Sequence, residues 1–157
     1  KELGIAAALF GAAVLFVTNF LKLQNAYVFV VFYTFAYVGI AIFSLITWAM
    51  ITDVIDDAQV HDGRRSDGTI YSVYSFARKV GQAASSGVTG LLLSIIGYSQ
   101  ATAFEPSVVN GIYHITCLAP AVGFVLLALS LAFLYPLDRK KVQENARILV
   151  EKENEAK

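Results

Sequence analysis

The chain has 157 residues, 57% of them hydrophobic and 15% charged, with a mean hydropathy of +0.61. A soluble domain carries about 25% charged residues, so this deficit, together with long apolar runs, excludes an ordinary soluble protein and places the chain in a membrane. The net charge is zero but the charges are segregated; no nucleic-acid partner is expected, and a single cysteine, Cys117, excludes an internal disulfide and leaves no zinc-site spacing, so no metal is expected.

No secretory leader precedes the first span-length segment, and because the chain starts at Lys1 without a methionine, a piece of a longer protein is expected. Crossing about 30 Å of hydrocarbon takes about 20 helical residues. Residues 3–21, 26–52, 69–98 and 111–135 meet that length, which predicts an all-α integral membrane protein with four transmembrane helices. Helices are required because backbone in lipid must satisfy its own hydrogen bonds.

The first predicted helix, 3–21, has no charge and is rich in small residues: Gly4, Ala6, Ala7, Ala8, Gly11, Ala12 and Ala13. Small side chains let helix backbones approach closely. Residues 22–25 form a short polar turn. The second helix, 26–52, is longer than a bilayer needs and is expected to tilt. Tyr27, Tyr33 and Tyr37 lie in its first half, and Trp48 lies near its far end. Residues 53–68 read as a loop, acidic first and then rich in Arg and Gly. The third helix, 69–98, carries Arg78 and Lys79 inside it. A second loop, 99–110, contains Glu105-Pro106. The fourth helix, 111–135, contains Pro120, which is expected to kink it, and Pro136 closes it. The tail, 136–157, is polar. Val142, Ala146, Leu149 and Val150 share one helical face there, which reads as a solvated or interfacial helix.

Basic residues set the orientation. If the four helices alternate, Lys1, Arg64, Arg65, Arg139, Lys140, Lys141, Arg147, Lys152 and Lys157 fall on one side, and only Lys22 on the other. Nine against one is a positive-inside signal. It predicts that residues 53–68 and both termini are cytoplasmic.

The chemistry is expected in the third helix. Lys79 lies ten residues past Thr69, or about 15 Å along a helix, near mid-membrane. A charge there costs about 2.5–3.5 kcal/mol on insertion scales. Ser72, Ser75, Lys79, Gln82 and Ser86 recur at steps of three and four, which makes one polar stripe. Tyr71, Tyr74 and Arg78 lie beside it, and Ala83, Gly87 and Gly90 offer a small-residue packing face. The bland alternative is that Arg78 or Lys79 snorkels to an interface along its aliphatic stem. All twelve Asp and Glu residues fall outside the four predicted helices. A buried ammonium needs an acidic or hydrogen-bonding partner. That partner is then a substrate, or a carboxylate on helices beyond this chain.

Other residues carry two readings each. Trp48 could cover the apolar face of a ligand or sit in the interfacial aromatic belt. Tyr71 and Tyr74 are cavity or packing residues. His61 reads as a solvated loop residue, His114 as an outer-end residue of the fourth helix, and Cys117 as an apolar filler. Asp53, Asp57 and His61 have metal-ligand spacing only if the second helix continues, and Gly63 with the polar run favours a loop. A metal-dependent membrane enzyme and a structural or regulatory four-helix subunit are therefore two readings that stay open on these residues.

Asp53-x-x-Asp56, Gly63-x-Arg65-x-x-Gly68, Tyr71-Ser72, Lys79-x-Gly81 and Ile96-Gly97-Tyr98 together resemble the glycoside–pentoside–hexuronide:cation symporters. These are melibiose-permease-like members of the major facilitator superfamily. The resemblance covers essentially the whole chain. It implies the last four of twelve helices of a bacterial inner-membrane transporter, with residues 53–68 as the cytoplasmic loop between the tenth and eleventh. It implies alternating access, with a sodium or proton gradient driving uptake of a glycoside, pentoside or hexuronide, and no cofactor beyond the coupling cation. By the resemblance, Lys79 lies close to the sugar and cation sites. Together with the polar stripe and the aromatic residues read above, the expected substrate and coupling side comprises Lys79, Ser75, Gln82, Tyr71, Tyr74, Arg78 and Trp48. Asp53 and Asp56 fall on loop-entry aspartates that act in cytoplasmic gating, and with Arg64 and Arg65 they are expected to form one charge network. The family's Asp-Tyr-x-Glu is here Asp56-Asp57-Ala58-Gln59, without the Tyr or the Glu. The family's cation-binding acidic residues lie on its second and fourth helices, which this chain lacks. The chain as written is therefore expected to need the missing N-terminal helices, a bilayer and a sugar as its partners.

Overall fold

A computed structural model describes residues 1–155. The described residues form five helices: α1 (Glu2–Leu21), α2 (Ala26–Asp62), α3 (Asp67–Ile95), α4 (Pro106–Phe133) and α5 (Arg139–Glu155). Three of them, α1, α2 and α4, are long and apolar enough to cross a membrane. At 29 residues α3 has the length, but its serines, Gln82 and the Arg78-Lys79 pair lower its hydropathy. α4 continues as one helix through Pro120.

α1 is the centre of the packing, with α2 on one side and α4 on the other. Its small residues explain the position. A side chain on Gly39 of α2 would run into the carbonyl oxygen of Ala7, and one on Gly11 would come within 3.0 Å of the Ala36 carbonyl oxygen and of the Phe124 ring. The backbones thus meet where the sequence offers no Cβ or only a methyl group. Ala12, Leu15, Ala36, Ala121 and Phe124 form the buried cluster around that contact. Among the fully buried side chains, Cys117 serves as an apolar filler.

Opposite ends of the bundle are tied differently. At one end, the Asn25 side chain accepts from the backbone N–H groups of Tyr27 and Val28 and caps α2. The Tyr113 hydroxyl donates to the carbonyl of Thr18 and accepts from the N–H of Leu23, which fastens α4 to the turn after α1. His114 Nδ1 lies 2.7 Å from Asn19 Oδ1. At the other end, Lys1 Nζ donates to the carbonyl of Tyr135 at 2.9 Å. Lys1, the end of α4, α5 and the end of α2 therefore gather together, and Lys22 lies at the far end. Lys157 is outside the described residues.

The expected loop over 53–68 is largely helix. α2 runs for 37 residues to Asp62, about 55 Å, which exceeds the hydrocarbon thickness of about 30 Å. It is longer than one crossing needs, its charged residues gather in its last three turns, and only residues 63–66 connect it to α3. Ile51 and Ile55 are both buried, so the apolar face continues among the acidic residues of the helix end. Gly63, at φ 69°, ends the helix and donates its N–H to the carbonyl of Gln59, which closes the helix in the left-handed conformation that suits glycine. His61 is accordingly helical, with Nδ1 2.8 Å from the Asp57 carbonyl oxygen.

The tail is also more than a solvated helix. α5 lies against the charged end of α2. Asn145 is 1% exposed, and its Nδ2 donates to Asp57 Oδ1 at 2.7 Å. Leu137 is buried as well. The inward face comprises Val142, Asn145, Ile148 and Leu149, whereas Ala146 and Val150 point outward. The Asp57 carboxylate satisfies the buried amide nitrogen, while Asn145 Oδ1 is buried without a hydrogen-bond partner among the described residues.

Two outcomes follow from these contacts. Gly39→Ala should lower the thermal unfolding midpoint in detergent, because overpacking a close contact costs about 1–3 kcal/mol. Asn145→Ala should speed hydrogen–deuterium exchange across residues 139–155, since losing a hydrogen bond to a charged group costs about 1.5–3 kcal/mol; unchanged exchange would remove Asn145 as the pin.

Candidate functional site

α3 touches the bundle lightly. It has no buried residue, and it meets α2 mainly through aromatic rings. The Trp48 ring centroid lies 6.2 Å from those of both Tyr71 and Tyr74. These contacts act as a spacer and leave a groove of about 1090 Å³ between the helices. From α2, Ser44, Thr47 and Trp48 line it. From α3 come Tyr74, Arg78, Gly81, Gln82, Ser85 and Ser86, which share one helical face by steps of three and four. Leu127 of α4 closes one side.

The groove wall is mixed: Ile40, Phe43, Ala77 and Leu127 give it a largely apolar surface, into which hydroxyls, an amide and a guanidinium are set, and no acidic residue lines it. Ser44 Oγ donates to the Ile40 carbonyl at 2.8 Å, Thr47 Oγ1 to the Phe43 carbonyl at 2.8 Å and Ser86 Oγ to the Gln82 carbonyl at 3.0 Å. Each hydroxyl spends its proton on its own helix and keeps lone pairs for a ligand. Arg78 is the one charged residue in the lining.

The predicted substrate-side residues therefore separate. Trp48, Tyr74, Arg78 and Gln82 come together in the groove. Tyr71 stands at its edge against Trp48. Ser75 and Lys79 are exposed and lie outside the lining, because Lys79 is rotated by about a quarter-turn from Arg78 on a helix of about 3.6 residues per turn. Neither Arg78 nor Lys79 has a hydrogen bond or ion pair with a described residue. Ser44, Thr47 and Ser85 escaped sequence reasoning. The spacing of Ser44, Thr47 and Trp48 on α2 was the available signal.

A second polar cluster lies at the end of α2. Arg65 Nη1 donates to Asp56 Oδ1 at 3.1 Å and to Gln59 Oε1 at 3.0 Å, and Arg65 Nε donates to Asp67 at 3.0 Å. Asp56 and Gln59 share a helical face, and Asp67 opens α3, where a carboxylate suits the helix N-terminus. The hydrogen bond to Asp67 foremost, with Asp56 adding to it, holds the Arg65 guanidinium above its ordinary pKa. The expected four-residue network is not formed in full. Arg64 is exposed without a described partner. Asp53 lies further back along α2 and lines a separate surface groove with Lys1, Leu137 and Arg139. The continuing helix does set Asp53, Asp57 and His61 on one face. Asp57 is engaged by Asn145, however, and no group of three potential metal ligands forms among the described residues.

A groove with one cation, several hydroxyls and aromatic rings on its wall thus lies beside three helices long and apolar enough to cross a membrane. The sequence model of the MFS/sugar transport protein family matches residues 1–139, and the chain belongs to that family. It is 35% identical over 131 residues to the Bacillus subtilis protein "Uncharacterized symporter YjmB", which covers 83% of the chain and 28% of that relative. It is 34% identical over 122 residues to the "Glucuronide carrier protein homolog" of Escherichia coli, covering 78% and 26%. It is 34% identical over 114 residues to the "Sodium-dependent lysophosphatidylcholine symporter 1" of Gallus gallus, covering 71% and 22%. The chain thus spans about a quarter of the length of the curated relatives it matches. No solved structure matches it. The resemblance to cation-coupled glycoside symporters is borne out, and these relatives are transporters rather than enzymes.

If the aromatic contact spaces α3 from α2, Trp48→Ala should increase hydrogen–deuterium exchange in α3 and leave α1 and α4 unchanged. A uniform response of all helices, or none in α3, would assign the spacing to something else.

Proposed function

We propose that this chain forms one wall of a secondary transporter that couples sugar uptake to a sodium or proton gradient by alternating access. The supporting observation is the α2–α3 groove. It offers aromatic faces, outward lone pairs and a cation, which suit the C–H faces and hydroxyls of a pyranoside. In this reading α3 also spans the membrane, its polar face shielded from lipid by the remainder of the transporter. The four spanning helices are then the last of twelve, in a bacterial inner membrane. Both termini and the Arg65 clasp lie in the cytoplasm.

Lys79 has a separate role. Outside the groove and without an anion among the described residues, it faces a carboxylate contributed by the rest of the transporter. Its charge lowers the proton affinity of that carboxylate and tunes its hold on the coupling cation. The Asp56–Arg65 contact, together with Asp53, forms the cytoplasmic gate, closed while the pair is made and open when it breaks.

Uptake by the complete transporter in membrane vesicles tests this. An imposed sodium or proton gradient should drive sugar accumulation, and Lys79→Ala should abolish it while downhill exchange persists. Asp53→Asn should slow exchange more than it weakens sugar binding. Wild-type accumulation by the Lys79→Ala protein would defeat the coupling role.

A further inference from the structure

Arg78 is the one charged group on the groove wall, and no carboxylate lines the groove with it. We infer that Arg78 anchors an anionic sugar, one bearing a carboxylate or sulfonate, while Trp48 and Tyr74 cover its ring. This rests on the sugar-transporter reading above and narrows it to sugar acids over neutral sugars.

Charge balance comes first. A guanidinium does not shed its proton in a protein. Arg78 lies eleven residues into α3 from Asp67, about 16 Å along the axis, at a depth where an uncompensated cation is costly. No described residue neutralises it. An anion that arrives with the cargo does so only while the cargo is bound, which makes the charge a source of selectivity.

Geometry agrees with that assignment. The planar guanidinium matches two oxygens of a carboxylate or sulfonate with parallel N–H···O bonds. A hydroxymethyl group offers one oxygen and no charge. The rest of the wall complements the sugar hydroxyls. Ser44, Thr47 and Ser86 have committed their protons to backbone carbonyls, so they accept from the sugar, while Arg78 and the Gln82 amide donate. Lys79, outside the lining, remains free for the coupling carboxylate. Two adjacent cations thus serve two different anions.

The test uses p-nitrophenyl β-D-glucuronide and p-nitrophenyl β-D-glucoside, which differ only in carboxylate against hydroxymethyl at C6. Gradient-driven uptake of each is measured with the complete transporter, at matched membrane abundance, alongside a panel of neutral sugars. The wild type should have a KM for the glucuronide lower by roughly tenfold or more, the size of a charge-assisted bidentate contact. Arg78→Gln should bring the ratio of the two KM values close to one, and Arg78→Lys should retain part of the preference. If Arg78→Gln does not reach the membrane, the wild-type ratio and Arg78→Lys carry the test. Equal KM values in the wild type, or an unchanged ratio in the variants, overturn the anion assignment and leave the transporter reading intact. No gradient-driven uptake of any sugar overturns both.

Discussion

Two neighbouring cations, Arg78 and Lys79, stand well inside a helix flanked by membrane-spanning ones, and the described chain gives neither an anion. That imbalance explains how differently the helices pack. α1, α2 and α4 are apolar and join through small residues, so their contact needs only shape. α3 carries hydroxyls, an amide and two charges along its length. Such a face is not stable against lipid tails; α3 touches α2 through a few aromatic rings and sets its polar groups into the groove beside them.

α2 connects the two polar regions. Trp48 and Thr47 border the groove, and Asp56 and Asp57 lie about 12–14 Å further along the same helix. Asp56 holds Arg65 and, through it, the start of α3. Asp57 holds Asn145 of α5. A tilt of α2 would shift the groove wall and both clasps together, because the helix is unbroken between them. The α1 interface limits that tilt: Gly39 and Gly11 leave no space for independent sliding of the backbones.

Much of this was legible in the sequence, and the exceptions have physical causes. Hydropathy located the apolar cores of α1, α2 and α4 because burial in lipid demands long apolar runs. The small residues of α1 announced close packing, and Ala7 and Gly11 carry it. α2 runs on through the expected loop because a change from apolar to polar residues does not by itself end a helix. Asp, Ala and Gln are compatible with helix in water, and the real stop signal was Gly63, ten residues beyond the first aspartate. The Asn145–Asp57 contact links residues 88 apart, and no local pattern announces such a pair. For α3, the polar stripe through Ser72, Ser75 and Lys79 was visible. Which face turns toward α2 was not, since that depends on where the Trp48 ring meets Tyr71 and Tyr74. The groove therefore takes Arg78 and leaves Lys79 on its flank.

The most direct measurement is the aqueous accessibility of position 78. In the complete transporter, with Cys117 replaced by alanine, Arg78→Cys would be exposed to a charged, membrane-impermeant methanethiosulfonate reagent, with and without transported sugar. If the groove is a water-filled binding site, the thiol reacts and sugar slows the reaction. A thiol that reacts only with lipid-soluble maleimides, or that sugar does not protect, would put Arg78 against lipid or protein and contradict the account.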